Sequence, residues 1–343
     1  MRPATAESPS LSDTLARHRA FWNREPVDRP LLDVVHWHAE PTLRNTLLTP
    51  EMLDVDAYVD GVRIAAHEGS LLQGDLFRTA CPFPRVPWME ALVGSPIQVV
   101  DNDAAGMWPR PRSFDWSETQ SLRVRDDNPW LRKLLAYTRQ LVDEWDVTYL
   151  PTHTLMRGPI DMASAIRGDV RLGLSFNDYP DELADLLAVF ADNFISVGHA
   201  QWDRIEPFEG GYCSFYGIWA PGRPQRTQID SASQLSPSTY RMHVAAHDRR
   251  ITEAFPYSSI DVHSGGTIHL VEDLLEMPAL KAISVSIDPY ESAPRLRDLV
   301  PVFSEVLERK ALVLNGPMTR AELSLLLDRL PPAGLAIKTR LTD

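Results

Sequence analysis

The chain of 343 residues is 44% hydrophobic and 24% charged, as expected of a globular protein with a full core. Its formal net charge of −13 argues against nucleic acid or an anionic membrane surface as the main partner. The two cysteines, Cys81 and Cys213, lie far apart in the sequence, so neither a disulfide framework nor a cysteine-rich zinc site is predicted.

The N-terminal segment 1–10 is small, polar and proline-containing, which predicts a disordered lead. Residues 11–343 are expected to form one domain. Neither a signal-peptide core nor a long uncharged apolar segment is found, so we expect a cytoplasmic protein.

The first predicted elements are a helix and a strand. Ser12 is expected to cap a helix over 15–23. The apolar run 31–38 is predicted to be the first buried strand, with His36 and His38 on one of its faces.

The next segment is predicted to contain a helix over 50–67 and a strand near 72–77. Prolines and tryptophans dominate 69–116, which predicts either a packed excursion over the mouth of the fold or a short strand pair beside it. A helix over 128–144 and a strand over 147–153 follow.

The second half alternates strands with helices. The pattern predicts these elements in chain order: helix 180–202, strand 211–216, a glycine- and proline-rich loop 217–229, a helix from Ser236-Pro237 to 252, strand 258–263, helix 271–276, strand 282–287, helix 293–310, strand 311–314, helix 320–330 and strand 334–338. Such alternation is typical of a parallel sheet with crossover helices. Eight strands predict an α/β fold of the (β/α)8 TIM-barrel type. An open doubly wound sheet is the alternative, although no Gly-x-Gly-x-x-Gly follows a strand.

Function in such a barrel lies on the loops after the strands. The strand over 258–263 delivers His263 to its tip and then turns on Gly265-Gly266. Polar residues are predicted at the other strand ends: His36, His38, Asp75, Arg157, Tyr216, Trp219, Arg223, Asp230, Asp288 and Asn315. Histidine with aspartate suits either a divalent metal or an acid–base pair, and Arg157 or Arg223 could hold a carboxylate or phosphate.

Each of these residues also has a purely structural interpretation. His263 could be a solvated histidine at a Gly-Gly turn, and Asp230-Ser231 could form a turn ahead of the capped helix. Cys213 within a strand is more often a core residue than a ligand.

Short motifs recur in a defined order along nearly the whole chain: Arg19–Pro30, Gly158-Pro159 with a helix and Arg167-Gly168, Asp230-Ser231 before Leu235–Pro237, His263–Gly266, and Asn315-Gly316. In this order the chain resembles the uroporphyrinogen decarboxylase superfamily, which includes corrinoid-dependent methyltransferases. The resemblance implies a single-domain TIM-type barrel, a small-molecule substrate and a homodimer.

The sequence departs from both branches of that family. The arginines that hold porphyrinogen carboxylates after the first strand are replaced by the His36–Pro41 stretch, although Asp75 and Ser231 match a decarboxylase aspartate and serine. The methyltransferase branch binds zinc through His-x-Cys and a later cysteine. Here His263 is kept, but Gly265 stands in the place of the cysteine, so a harder nitrogen and oxygen site or a metal-free site is implied.

These observations predict methyl or one-carbon transfer on a small anionic substrate, with zinc as the most plausible metal and a corrinoid protein as partner. The predicted metal ligands are His263, Asp230 and Asp288; the predicted catalytic residues are His263, Asp230, Ser231, Asp75 and Tyr216; the predicted substrate contacts are Arg157, Arg223, His36, His38, Trp219 and Asn315. A decarboxylase or lyase using the same groups as acid and base, and a non-catalytic binder of a tetrapyrrole or other small ligand, are the alternatives.

Overall fold

The structure, a computed structural model, describes residues 10–34, 46–67, 70–100, 106–145 and 148–343. His36 and His38, predicted to contact substrate, lie outside the described residues, as does nearly all of the predicted N-terminal lead.

The strands of the described residues are β1 Leu31–Val34, β2 Leu47–Leu48, β3 Leu72–Gln73, β4 Leu76–Phe77, β5 Thr79–Ala80, β6 Ile97–Val100, β7 Gly106–Pro109, β8 Leu150–Pro151, β9 Tyr212–Cys213, β10 Trp219–Ala220, β11 Pro224–Gln228, β12 Tyr257–His263, β13 Ala282–Ser286, β14 Ala311–Met318 and β15 Leu335–Leu341. Six of them form a parallel sheet in the order β1-β15-β14-β13-β12-β11. Strands β5 and β8 form a separate parallel pair, and the remaining strands form short antiparallel sheets.

The helices are α1 Leu11–Asn23, α2 Val55–His67, α3 Trp88–Leu92, α4 Pro129–Asp143, α5 Pro159–Arg167, α6 Asp169–Asp178, α7 Pro180–Trp202, α8 Pro237–His243, α9 Ala245–Ala254, α10 Val271–Leu275, α11 Leu296–Arg309 and α12 Arg320–Arg329. Short 3₁₀ turns cover Pro50–Met52, Trp116–Leu122, Asp230–Gln234 and Ile268–Leu270. Parallel strands joined by helices confirm the predicted α/β class. Within the described residues no ladder of backbone hydrogen bonds joins the β5–β8 pair to the six-stranded sheet.

Helix boundaries follow the capping residues. Asn128, the first residue of the helix predicted over 128–144, caps α4 by accepting hydrogen bonds from Trp130 N and Leu131 N. The first helix begins earlier than predicted, because Ser10 rather than Ser12 is its cap. The helix predicted from residue 237 to 252 is interrupted at Val244 and forms α8 and α9.

Two strand predictions were wrong. The predicted strand over 211–216 is replaced by a hairpin of β9 and β10, and the predicted loop contains β11, an edge strand of the main sheet. All five residues of β11 are buried although four of them are polar, so the strand lacks the apolar alternation that marks strands in a sequence. The predicted strand over 72–77 is likewise a hairpin, and β5 is the strand that pairs with β8.

The main sheet has two different faces. One face packs against the helices and belongs to the large core, with Ile260, Ile283 and Leu312 beside helix residues such as Phe303. On the other face a smaller cluster covers the amino ends of the strands. Polar side chains follow that cluster toward the carboxyl ends, so the candidate site lies on this second face.

Helix α7 is long and apolar enough to cross a membrane by length and composition. Its apolar residues are nevertheless buried against neighbouring elements, among them Leu183, Leu187 and Phe190, which are fully covered in the large core. Burial of this kind is typical of a core helix.

Asp75, predicted to be catalytic, is engaged in structural contacts. Its carboxylate accepts hydrogen bonds from the guanidinium groups of Arg17 and Arg29 and from Leu32 N, which tie the β3–β4 turn and helix α1 to strand β1. Burial alone would raise the pKa of Asp75, but the hydrogen bonds from the two arginines outweigh burial and hold it below its ordinary value.

We therefore expect the Asp75→Ala variant to lose about 1–3 kcal/mol of unfolding free energy at neutral pH, measured by urea denaturation. The difference from the wild type should shrink as the pH falls through the lowered pKa, because the stabilisation requires the ionised carboxylate. Asp60→Ala, at a side chain that is 65% exposed, is the control and should change stability by less than about 0.5 kcal/mol. A fully stable but inactive Asp75→Ala protein would instead support the catalytic prediction.

Candidate functional site

A row of polar side chains crosses five neighbouring strands of the main sheet. Directly paired residues in this row are His263 with Ser286, Ser286 with Asn315, Asn315 with Lys338, and Lys338 with Asp33. Because directly paired residues of parallel strands point to the same face, about 4.8 Å apart, the row is continuous. His263 and Asn315 were predicted as site residues, whereas Lys338 and Asp33 were missed.

His263, at the end of β12, is held by Asp288. Its Nδ1–H group donates to Oδ1 of Asp288 at 2.7 Å, and the Asp288 side chain is only 5% exposed. Gly265 N donates to Oδ2 of the same carboxylate at 2.8 Å, and Asp288 N donates to Ser264 Oγ at 2.9 Å. The Asp288 carboxylate is thus fixed by the turn that follows β12.

Asp230 faces the other side of the imidazole ring. Its Oδ1 lies 3.5 Å from Nε2 of His263, and its Oδ2 accepts a hydrogen bond from the Gln228 side chain. Burial by itself would lower the pKa of His263, but the charge of Asp230 and the hydrogen bond to Asp288 together raise it above its ordinary value. The two carboxylates therefore favour the imidazolium form.

Arg157 lies next to this group. Its guanidinium contacts Glu90 at 3.2 Å and lies 3.8 Å from Oδ2 of Asp230. Burial raises the pKa of Glu90, and burial with the nearby Asp230 charge raises that of Asp161 well above its ordinary value. Asp161 accepts a hydrogen bond from the backbone N–H of Ser231, a predicted catalytic residue. This contact of Ser231 is made by its backbone and not by its hydroxyl.

A cleft of about 320 Å³ leads to Arg157 and Gln228 from the outside. Residues of the predicted proline- and tryptophan-rich excursion line it, including Pro84 and Trp108, of which Trp108 is 46% exposed. The cleft therefore ends at two side chains that contact or approach Asp230.

Three predicted site residues lie elsewhere. The Tyr216 hydroxyl is buried beneath the row, where it donates to Asp261 and accepts from Arg226 Nε. Trp219 is fully buried, and its backbone N–H donates to Nδ1 of His18.

Arg223 precedes β11, at the amino end of the sheet, and pairs with Asp203 at 2.8 Å. The structure does not bring Trp219 or Arg223 to His263, because the segment assigned to a loop after a strand contains the strand itself.

The three predicted metal ligands do not converge on one point. Asp288 binds Nδ1 of His263, whereas Asp230 faces Nε2, so the carboxylates flank opposite sides of the ring. Throughout the described ranges no group of three or more histidine, cysteine, aspartate or glutamate side chains is placed to hold a metal ion. Cys81 and Cys213 are both buried.

Sequence comparison finds no matching family model and no matching curated protein. Among solved structures the chain is similar to a methyltransferase from Methanosarcina mazei, with a TM-score of 0.61 and 14% sequence identity. The similarity covers 96% of this chain and 92% of that chain. At this identity the likeness concerns the fold alone.

We expect the imidazole of His263 to titrate above pH 6.5, approximately the ordinary histidine value, in a proton NMR titration of the wild type. Asp288→Asn and Asp230→Asn should each lower that midpoint, because each removes a negative charge next to the ring. Asp298→Asn, at an exposed position on α11, is the control and should leave it unchanged.

The same shift has a consequence for stability. Because the folded pKa of His263 exceeds the unfolded one, the contribution of this residue to stability is complete below about pH 6.5 and is lost as the pH rises through the folded value.

In the NMR titration, midpoints of His263 that are equal in wild type, Asp288→Asn and Asp230→Asn would contradict the assigned contacts.

Proposed function

We propose that the protein is an enzyme that transfers a methyl or other one-carbon group to a small polar molecule, with His263 as the proton-transferring residue. The observation that carries this proposal is the position of His263 between Asp288 and Asp230 at the carboxyl ends of parallel strands. The fold likeness to a methyltransferase supports the reaction class.

The proposal includes a closed TIM-type barrel of the uroporphyrinogen decarboxylase superfamily. Strands β5 and β8 would complete eight strands with the six of the main sheet. Backbone hydrogen bonds from Gly158 N to Gln228 O and from Asp75 N to Leu32 O, both 2.9 Å, support this arrangement, since they tie the segments around that pair to the two edge strands.

In the proposed reaction a heteroatom of the substrate attacks the methyl carbon. The bond between that carbon and the methyl donor breaks, and its electron pair stays on the donor. The heteroatom loses its proton to Nε2 of His263. Asp288 accepts from Nδ1–H throughout and stabilises the imidazolium that forms. Arg157, 23% exposed at the inner end of the cleft, would orient an acidic group of the substrate.

A decarboxylase or lyase is the second candidate, and the raised pKa of His263 favours it. An imidazolium that keeps its proton to a higher pH than an ordinary histidine does suits protonation of the carbanion left when carbon dioxide departs. The two candidates require opposite protonation states of His263. A base role predicts a rate that rises with pH through the pKa of His263, and an acid role predicts a rate that falls.

Zinc is not assigned a step in this proposal. The described side chains offer one nitrogen and one carboxylate on the Nε2 side of His263, which is fewer than the three protein ligands of a catalytic zinc site. Zinc binding, a corrinoid protein as partner, a homodimer, a cytoplasmic location and the non-catalytic binder stay predictions.

The reaction class is tested with ¹³C-methylcobalamin as methyl donor and a panel of small thiols and hydroxy acids. We expect methyl transfer detectable by NMR and a loss of 10²–10⁴-fold in rate in His263→Gln, because a positioned proton-transfer group contributes about that factor. His269→Gln is the matched control, since His269 lies on the following turn and binds the backbone oxygens of Leu235 and Gly266.

Release of carbon dioxide from the acids, without methyl transfer, would instead favour the lyase. Equal rates in wild type and His263→Gln would overturn the proposed role. Elemental mass spectrometry on both proteins addresses the metal, because one zinc ion per chain that is lost in His263→Gln would establish a site that the described side chains do not form by themselves.

A further inference from the structure

The far end of the polar row lies on β15 and β1, away from His263. Lys338 is directly paired with Asp33 on one side and with Asn315 on the other. Both charged residues stand in otherwise apolar stretches of their strands, Leu335–Ile337 and Leu31-Leu32. A TIM-type barrel normally fills its interior with apolar side chains, so charges at this position call for a partner.

Hydrogen-bonding capacity is left unused at this end. The Lys338 ammonium has three donors, and its hydrogen bond in the structure is a long contact of 3.5 Å to Tyr216 O. Asp33 is 3% exposed, and no side chain or backbone group of the described residues forms a hydrogen bond with its Oδ2 atom. Burial lowers the pKa of Lys338 and raises that of Asp33 to about 6.

A neighbouring charged pair on the same face shows the opposite condition. Arg226 and Asp261 form an ion pair of 2.7 Å, and the Tyr216 hydroxyl and the Ser286 hydroxyl complete their hydrogen bonds. That pair satisfies itself, so the unused capacity is a property of Lys338 and Asp33 and not of every charge on this face.

The unused groups lie beside a space that solvent reaches. Lys338, Asn315 and Ser286 on this face are partly exposed, whereas Ile337 and Leu314 on the helix face are fully buried. In the proposed barrel, β1 and β12 are four places apart among eight strands. Asp33 and His263 would then face each other across the interior.

We propose that Lys338 and Asp33 bind a small ligand that carries an acidic group next to a hydroxyl or amino group, as in a 2-hydroxy or 2-amino acid. The ammonium of Lys338 binds the acidic group, and Asp33 Oδ2 accepts a hydrogen bond from the adjacent hydroxyl or amine. This inference deepens the proposed function, because it names the class of substrate that would lie opposite His263.

The test measures binding of three probes by isothermal titration calorimetry and ligand-observed NMR: glycolate, glycine and acetate. Wild type should bind glycolate and glycine more tightly than acetate, which lacks the second group. Lys338→Met should weaken all three by at least about tenfold, since the charge-assisted hydrogen bond is lost. Asp33→Asn should reduce the affinity for glycolate and glycine toward the affinity for acetate.

Lys310→Met is the matched control. Lys310 is buried, and its ammonium is satisfied by Met277 O and Leu280 O, so its removal should leave probe binding unchanged. If Lys338→Met does not fold, the inference is tested instead by whether a bound probe protects Lys338 of the wild type from chemical modification. Glycolate should slow acetylation of Lys338 by acetic anhydride, followed by mass spectrometry, and leave the rate at Lys310 unaltered.

Binding that is equal in wild type and Lys338→Met, or no binding of any probe to the wild type, would overturn this inference. Its failure is distinguishable from failure of the proposed function. His263→Gln should keep Lys338-dependent binding while it loses turnover. Turnover that depends on His263 but not on Lys338 would overturn the proposed subsite and leave the proposed function standing.

Discussion

The in-register pairing of five parallel strands is the constraint on which the candidate site depends. A slip of one residue in any of these strands would turn its polar side chain from the site face to the helix face. Lys338 would then exchange places with Ile337, which is fully buried against the helices. The apolar residues of the helix face therefore fix the register, and the register places His263 and Lys338 in one row.

Charge burial gives the two ends of that row different properties. At one end, two carboxylates next to His263 raise its pKa and favour the imidazolium. At the other end, burial lowers the pKa of Lys338 and raises that of Asp33, so both neutral forms become more accessible. Arg226 and Asp261 form an ion pair with each other and can serve a structural role between the two ends. In the proposed function, proton transfer belongs to the His263 end and ligand recognition to the Lys338 end.

Sequence patterns predicted those parts that local chemistry determines. Helix α7 has the predicted bounds, and α4 begins at its Asn128 cap, because apolar periodicity and a capping side chain are local signals. His263 and Asp288 were predicted as neighbours because each follows a clearly apolar strand. Strand β11 was missed since its polar residues are buried by contacts distant in sequence, and that error placed Arg223 at the wrong end of the sheet. Lys338 was overlooked because one charge at the end of an apolar strand gives no signal of its own.

Gly265 links the backbone of the turn after β12 to the chemistry of the site. Its backbone N–H donates to Asp288, and a Cβ atom at this position would lie 3.2 Å from Oδ2 of that carboxylate and 3.3 Å from Ala293 Cβ. A cysteine here would crowd the carboxylate that orients His263. The space around Gly265 therefore suits the His263–Asp288 hydrogen bond and leaves little room for a larger side chain. With the carboxylate on Nδ1, the imidazole is oriented for proton transfer through Nε2, which agrees with a reaction that needs an acid or a base at this edge of the sheet.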